Sequence, residues 1–308
     1  MIALIIVLGL IFVFSAVIFY FFCVAFVRRN VGNVDNVDDP CNKVLGEFKE
    51  TVREGIAQIN ATEHKWVEIL SFDRLRLKGR YFDNKSEKTV ILFHGYRSSA
   101  LRDFSKALQM YTALGFNVLM VDQRAHGRSE GRIITFGVKE SKDVLSWVDF
   151  VLKKYSPKKI LLGGMSMGAT TVLLSCDKEL PEQVLGVIAD CGFTSPEKII
   201  KIVAKKQFKI DDKYVMHLLD FWCKVLGNFS FRKVSTTKSL KNSQIPILLI
   251  HGEADGFVPC EMSREAFKNC NKKCRLLTVP DADHGFSFLV NKGAVLKEIK
   301  EFLISCGC

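Results

Sequence analysis

Lys159-Ile-Leu-Leu-Gly-Gly-Met-Ser-Met-Gly168 is a short, unbroken apolar run that ends in a glycine-flanked serine. The run reads as a strand buried on both faces, and residues 167–178 read as the helix that follows it. A serine at such a junction sits on a strained strand-to-helix turn that only small flanking residues permit. Its hydroxyl is then pushed to the carboxyl edge of a sheet. The helix N-terminus behind it adds N–H donors and the positive end of a dipole. The string is not a dinucleotide fingerprint, because GGMSMG lacks the G-x-G-x-x-G spacing, and no Walker-type lysine follows.

Runs of the same kind recur at TVILF (89–93), NVLMVD (117–122), VLGVIAD (184–190), PILLIHG (246–252) and RLLTVP (275–280). Helical stretches separate them at 100–114, 138–155, 261–270 and 289–304. This alternation predicts an α/β fold, a doubly wound and mostly parallel sheet with helices on both faces. Upstream, Leu75, Leu77 and Tyr81 alternate with Arg74, Arg76, Lys78 and Arg80, the pattern of a strand with one buried and one solvated face. Val44, Leu45, Phe48, Val52, Ile56 and Ile59 recur at helical spacing, so 42–60 is expected to be an amphipathic helix. Between 194 and 241 no strand-like run occurs. That stretch is aromatic-rich and helical, and its 11 Lys and Arg face only four acids. An insertion between two sheet strands reads as a lid over the strand ends.

A serine nucleophile needs a base, and the base needs an orienting acid. His284, in DADHG, lies just beyond the last expected strand, and Asp255, in HGEADG, just beyond the one before. The chain order Ser166, Asp255, His284 is the order this arrangement takes on a doubly wound sheet. Asp190 and Glu253 are the rival acids. His94, His126 and His251 sit at strand ends, where packing and turn formation are the plainer roles for His94 and His251. His64 and His217 lie outside the sheet edge. Two backbone N–H groups should face the developing oxyanion, that of Met167 and one from the His94–Arg97 loop, for which Tyr96 is the choice. The Tyr96 ring has the further alternatives of walling a pocket or simply packing.

The chain carries 44 Lys and Arg against 33 Asp and Glu, a net charge of +11, and it is 48% hydrophobic. That composition excludes a disordered chain and favours anionic surroundings. Residues 1–27 contain no charge, and Arg28 and Arg29 follow directly. Twenty-seven helical residues would span roughly 40 Å, longer than the ~30 Å hydrocarbon core. A cleaved signal peptide would carry a basic start, a shorter apolar core and a small-x-small site, none of which is clear. A buried core helix is the other competitor. The expectation is a single-pass anchor over 1–29 with the body on the cytoplasmic side, a linker and helix over 30–64, and a catalytic domain over 65–308. Ten cysteines without framework spacing fit a reducing compartment. Cys270-x3-Cys274 and Cys306-x-Cys308 lack a histidine partner for zinc, so no metal is expected.

HGYRSSA (94–100), VDQRAHGRSEG (121–131), GGMSMGATT (163–171), ADCGFTSPEKI (189–199), HGEADGFVP (251–259) and DADHGF (281–286) together resemble the α/β-hydrolase superfamily. The resemblance runs from about residue 65 to 305. It is nearest to bacterial hydrolases of the serine aminopeptidase-like and prolyl-oligopeptidase-like kind, often found with an N-terminal membrane segment. It implies a triad of Ser166, Asp255 and His284, with oxyanion donors from the Tyr96 and Met167 backbones. Ala125 replaces a commoner glycine in the 122–127 turn, which reads as structural. The implied activity is cofactor-free ester hydrolysis on a small-molecule or lipid ester, with a peptidase as the alternative. A non-catalytic anchored binding protein is the distant third. No nucleic-acid module is apparent. The N-terminal helix is the expected membrane contact and the basic lid a candidate second one. Deletion of residues 1–29 is expected to leave a soluble, active enzyme.

Overall fold

The computed structural model describes residues 2–30, 32–270 and 273–307. Its core is an eight-stranded sheet made of β1 (Lys65–Leu70), β2 (Arg76–Phe82), β3 (Lys88–Phe93), β4 (Asn117–Val121), β5 (Lys159–Met165), β6 (Val184–Asp190), β7 (Ile247–Gly252) and β8 (Cys274–Val279). Their spatial order is β1-β2-β4-β3-β5-β6-β7-β8. The last six in that order run parallel, and β1 and β2 add an antiparallel edge. The fold is therefore the doubly wound α/β type that the sequence pattern predicts.

The apolar runs are unbroken because both faces of the parallel strands are covered. Side chains alternate across a strand, so Val90 and Leu92 enter one core layer while Ile91 and Phe93 enter the other. Numbered in chain order, α2 (Lys49–Ala61), α3 (Ala100–Asp103), α4 (Ala107–Ala113) and α12 (Lys292–Ser305) cover the first face. The second face is covered by α5 (Glu140–Tyr155), α6 (Met167–Ser175), α9 (Thr236–Asn242) and α10 (Glu261–Lys268). A single turn, α11 (Ser287–Val290), leads into α12. The lid is the pair α7 (Pro196–Phe208) and α8 (Lys213–Gly227).

Three local readings are refined. The expected helix over 100–114 divides into α3 and α4, because Asp103 turns away to bond the 94–98 loop and Phe104 turns into the core. The expected helix over 42–60 opens as 3-10 turns over Pro40–Phe48 before α2 begins. The strand pattern over 74–81 is one arm of a hairpin whose other arm is β1, the chain reversing at Ser71–Arg74. Within it Leu77 and Tyr81 face inward, and on the other face Arg76 pairs with Glu130 and Lys78 with Glu68. The 122–127 turn is braced from beneath. Buried Arg124 bonds Asp143 at 2.6 Å and Asp73 at 3.0 Å, so the guanidinium is paired on both sides.

The N-terminal apolar segment forms α1 (Ile2–Phe26), long and apolar enough to cross a membrane. Its first half exposes Ile5, Ile6, Phe12, Val13 and Phe14, whereas Ile18, Phe22 and Phe26 are buried in one cluster, where Phe26 packs on Phe136, Phe229 and Phe231. The last carbonyls of a helix have no partners within it. Here Tyr96 Oη donates to Ala25 O at 2.8 Å, Arg97 to Val24 O and Val27 O, and the Ile134 N–H to Phe26 O. Val27 then bridges to Ile133, and Arg28 bonds the carbonyls of Gly127 and Ser129. A boundary after residue 29 thus falls inside packed structure. Removing residues 1–17 should leave the melting temperature of the detergent-solubilised protein nearly unchanged. Removing 1–29 takes two buried phenylalanines and an isoleucine from the core and should lower it by on the order of 10 °C or more. Equal melting temperatures for the two truncations would contradict this packing.

Candidate active site

The serine turn is built by close backbone approach. A side-chain carbon at Gly168 would lie 1.8 Å from the Phe93 carbonyl oxygen, and one at Gly164 would lie 2.3 Å from the Gly168 carbonyl oxygen. Only glycine lets β3, β5 and α6 meet this tightly. Between them Ser166 takes φ 55° and ψ −114°, a left-handed backbone that costs a non-glycine residue about 1–3 kcal/mol. Its N–H bonds the Asp190 carbonyl, and its own carbonyl accepts from Thr170 N in the first turn of α6. The hydroxyl is left at the carboxyl end of the sheet, almost fully buried.

Loops after β7 and β8 bring the two expected partners to it. His284 Nε2 lies 2.9 Å from Ser166 Oγ, and His284 Nδ1 lies 2.7 Å from Asp255 Oδ2. Because a carboxylate only accepts, Nδ1 carries the hydrogen and Nε2 is free to accept from the serine hydroxyl. Asp255 Oδ1 accepts from the Phe257 and Val258 N–H groups, at 2.8 and 2.7 Å. Burial alone would raise the Asp255 carboxyl, but the hydrogen bonds of His251 and His284 and those backbone donors hold it well below the usual carboxylate range. A charged acceptor beneath the imidazole results.

His251, read from sequence as a packing residue, is the part of this arrangement the sequence reading missed. Its Nε2 donates to Asp255 Oδ2 at 3.1 Å and to Val258 O at 2.9 Å, while Nδ1 accepts from Ser263 Oγ. Its position four residues before Asp255 in the same strand–loop junction was the available signal. The rings of His94 and His126 meet edge to face, 4.8 Å apart, at the base of the 94–97 loop. Gln123 N donates to His94 Nε2 and Arg97 N to His126 Nε2, so Nε2 is the accepting nitrogen of each ring. Burial and the neighbouring His94 hold His126 far below its ordinary value.

That brace aims the loop. Gly95 packs against Ser166, since a Cβ there would lie 3.4 Å from Ser166 Cβ. Among the described residues, the backbone N–H groups of Tyr96 and Met167 have no partner in the protein. The Tyr96 ring is engaged elsewhere, stacking on Phe136 and bonding α1 through its hydroxyl. Of the rival acids, Glu253 is on the surface paired with Arg264. Asp190 is near but one strand away, bonded by Ser287 Oγ at 3.2 Å. Cys191 Sγ is 4.0 Å from His284 Nε2, and with Asp255 these side chains bring ligand-type atoms within 4.8 Å of one another. They fit a metal poorly, because His284 and Asp255 are bonded to each other and burial keeps the thiol protonated.

Two cavities open beside Ser166. One, of 270 Å³, lies against His284, Asp190, Tyr111 and Ile188. The other, of 240 Å³, lies between α1 and the lid. Tyr96, Ser166 and Phe257 line both.

A sequence profile of the alpha/beta hydrolase fold matches residues 88–243, and a profile described as TAP-like protein matches 213–307. The uncharacterized protein YqkD of Bacillus subtilis is 28% identical over 217 residues, covering 70% of each chain. The esterase Pf2001 of Pyrococcus furiosus superposes with a TM-score of 0.66 at 29% identity, covering 80% of this chain and 94% of that one. An uncharacterized membrane protein of Saccharomyces cerevisiae, YNL320W, is 22% identical over 78% of this chain and 79% of its own length.

Asp190 gives the site a second, contrasting carboxyl. Burial pushes it up from 3.8 to about 6, against the pull of His251 and Ser287. A carboxyl raised on folding favours the protonated native state, so its stabilising contribution is full below 3.8 and is lost as pH climbs through about 6. Asp190→Asn should therefore remove a decline in melting temperature over that window. Parallel curves for the two proteins from pH 4 to 7 would contradict the assignment.

Proposed function

The chain belongs to the α/β-hydrolase family, and on that premise we propose that it is a serine hydrolase that cleaves carboxylic esters through an acyl-enzyme on Ser166. The observation that carries the proposal is the unbroken hydrogen-bond path from Ser166 Oγ through His284 to Asp255. His284 Nε2 takes the hydroxyl proton as Oγ bonds to the ester carbon, and the carbonyl electron pair moves onto oxygen. The Tyr96 and Met167 N–H groups hold that oxyanion. As the C=O re-forms, the alcohol leaves with the proton from His284. Water then gives a proton to His284 and its oxygen bonds to the acyl carbon. Collapse of this second adduct frees the acid and returns the proton to Ser166. Asp255 keeps the imidazole in the required tautomer and stabilises its charged form.

Esters are favoured over peptides because both cavities beside the serine are lined chiefly by apolar side chains, and because a relative at 29% identity is an esterase. The enzyme is proposed to work at a membrane, held there by α1. Arg28 and Arg29 favour a cytoplasmic catalytic domain.

Ser166→Ala should lower kcat for p-nitrophenyl esters by about a thousandfold or more without altering the circular dichroism spectrum, and wild type should prefer these esters to aminoacyl-p-nitroanilides. Hydrolysis retained within about tenfold would contradict the serine assignment.

A further inference from the structure

We propose that the cavity between α1 and the lid binds the hydrocarbon arm of an ester resident in the bilayer, and that the anchor helix itself is one wall of that site. The inference rests on the serine hydrolase reading and deepens it by naming the substrate class. Ser166 lines this cavity. Phe21, Val24 and Ala25 of α1 form one wall, and Ile200, Val203 and Ala204 of α7 form the facing one. Of the polar groups along it, Arg97 is spent on the carbonyls of Val24 and Val27. Arg29 and Gln207 also line it, but the wall is otherwise chiefly apolar, which favours an alkyl chain over a polar leaving group.

The surroundings make the bilayer the source of that chain. Phe21 and Phe208, with ring centroids 5.1 Å apart, line the cavity together with Ser166. At the same level of α1, Val17, Phe19 and Tyr20 point outward and are exposed. Phe19 also packs on Trp222 of α8 at 5.1 Å. On α8, Tyr214, Leu218, Phe221 and Val225 are exposed at a spacing of four, three and four residues, one continuous helical stripe. Its opposite side, Met216, Leu219 and Cys223, is buried. An apolar stripe of this length is unfavourable in water. Beside a helix that crosses a membrane it has a natural cover, the lipid around that helix. The lid's cations contribute less, since Lys201 and Lys205 pair with Glu197 and Asp211. Lipid, cavity and nucleophile are thus contiguous, and a chain sliding between α1 and α7 arrives at Ser166 without crossing water.

The test uses the full chain in phosphatidylcholine vesicles, with p-nitrophenyl acetate, butyrate, octanoate and laurate. Rates are normalised to the fraction of Ser166 labelled by a small fluorophosphonate. Ala25→Phe fills the cavity from the anchor and Ala204→Phe from the lid, so either variant suffices if the other does not fold. In each, the laurate-to-acetate ratio of kcat/KM should fall by about tenfold or more, while Val13→Phe on the exposed side of α1 leaves both rates unchanged. An unaltered ratio with Ser166 still labelled would overturn the cavity assignment alone. Failure of wild type to label at Ser166 or to hydrolyse any ester would overturn the serine reading and this inference with it.

Discussion

The backbone of this protein is forced through one tight crossing, where Gly168 meets the carbonyl of Phe93 and Gly164 meets that of Gly168. No side chain fits at either position, and the chain between them must bend sharply enough to put Ser166 in a left-handed conformation. That strain is offset by the fully covered parallel sheet on either side, whose strands cannot shift register without turning one core layer into the other. The crossing also fixes what surrounds the serine. It brings the end of β3, and hence the 94–97 loop, against Ser166, and it leaves the loops after β7 and β8 as the elements that close over it.

Around that crossing the electrostatics divide two carboxyls by environment. Asp255 is held charged by two imidazoles and two backbone N–H groups, whereas Asp190, one strand away, is pushed toward its neutral form by burial. In the proposed mechanism this difference decides which acid supports a positively charged His284. His251 belongs to the same logic. By donating to Asp255 from below, it fixes the carboxylate so that its remaining capacity faces His284. A third layer of constraint couples the site to α1. Tyr96 and Arg97, neighbours on the loop beside Ser166, turn their side chains to the terminal carbonyls of α1, so the helix end and the loop are ordered together.

Much of the sheet was legible because strands buried on both faces leave an unbroken apolar record, as in TVILF and VLGVIAD. The serine turn was legible because its glycines answer a steric need, and Asp255 and His284 because each follows a strand that ends at the same edge. Other features left no such record. The period through 100–114 is continuous, yet the demand of the 94–98 loop on Asp103 breaks the helix. His251 reads like any strand-end histidine until Asp255 folds back above it. In α1, Phe12 and Phe22 look alike in sequence, but one is exposed and the other packs on Phe26 and its neighbours. Apolarity marks both as water-avoiding and is silent on whether lipid or protein does the covering.

The central claim is that acyl transfer runs through the hydroxyl of Ser166. The most direct measurement uses a p-nitrophenyl carbamate, whose carbamoyl group leaves an oxygen ester slowly, followed by peptide mapping of the quenched protein by mass spectrometry. The account predicts one carbamoyl group, on Ser166, with release of one equivalent of nitrophenol. Modification of Cys191 or any other residue in place of Ser166 would contradict it.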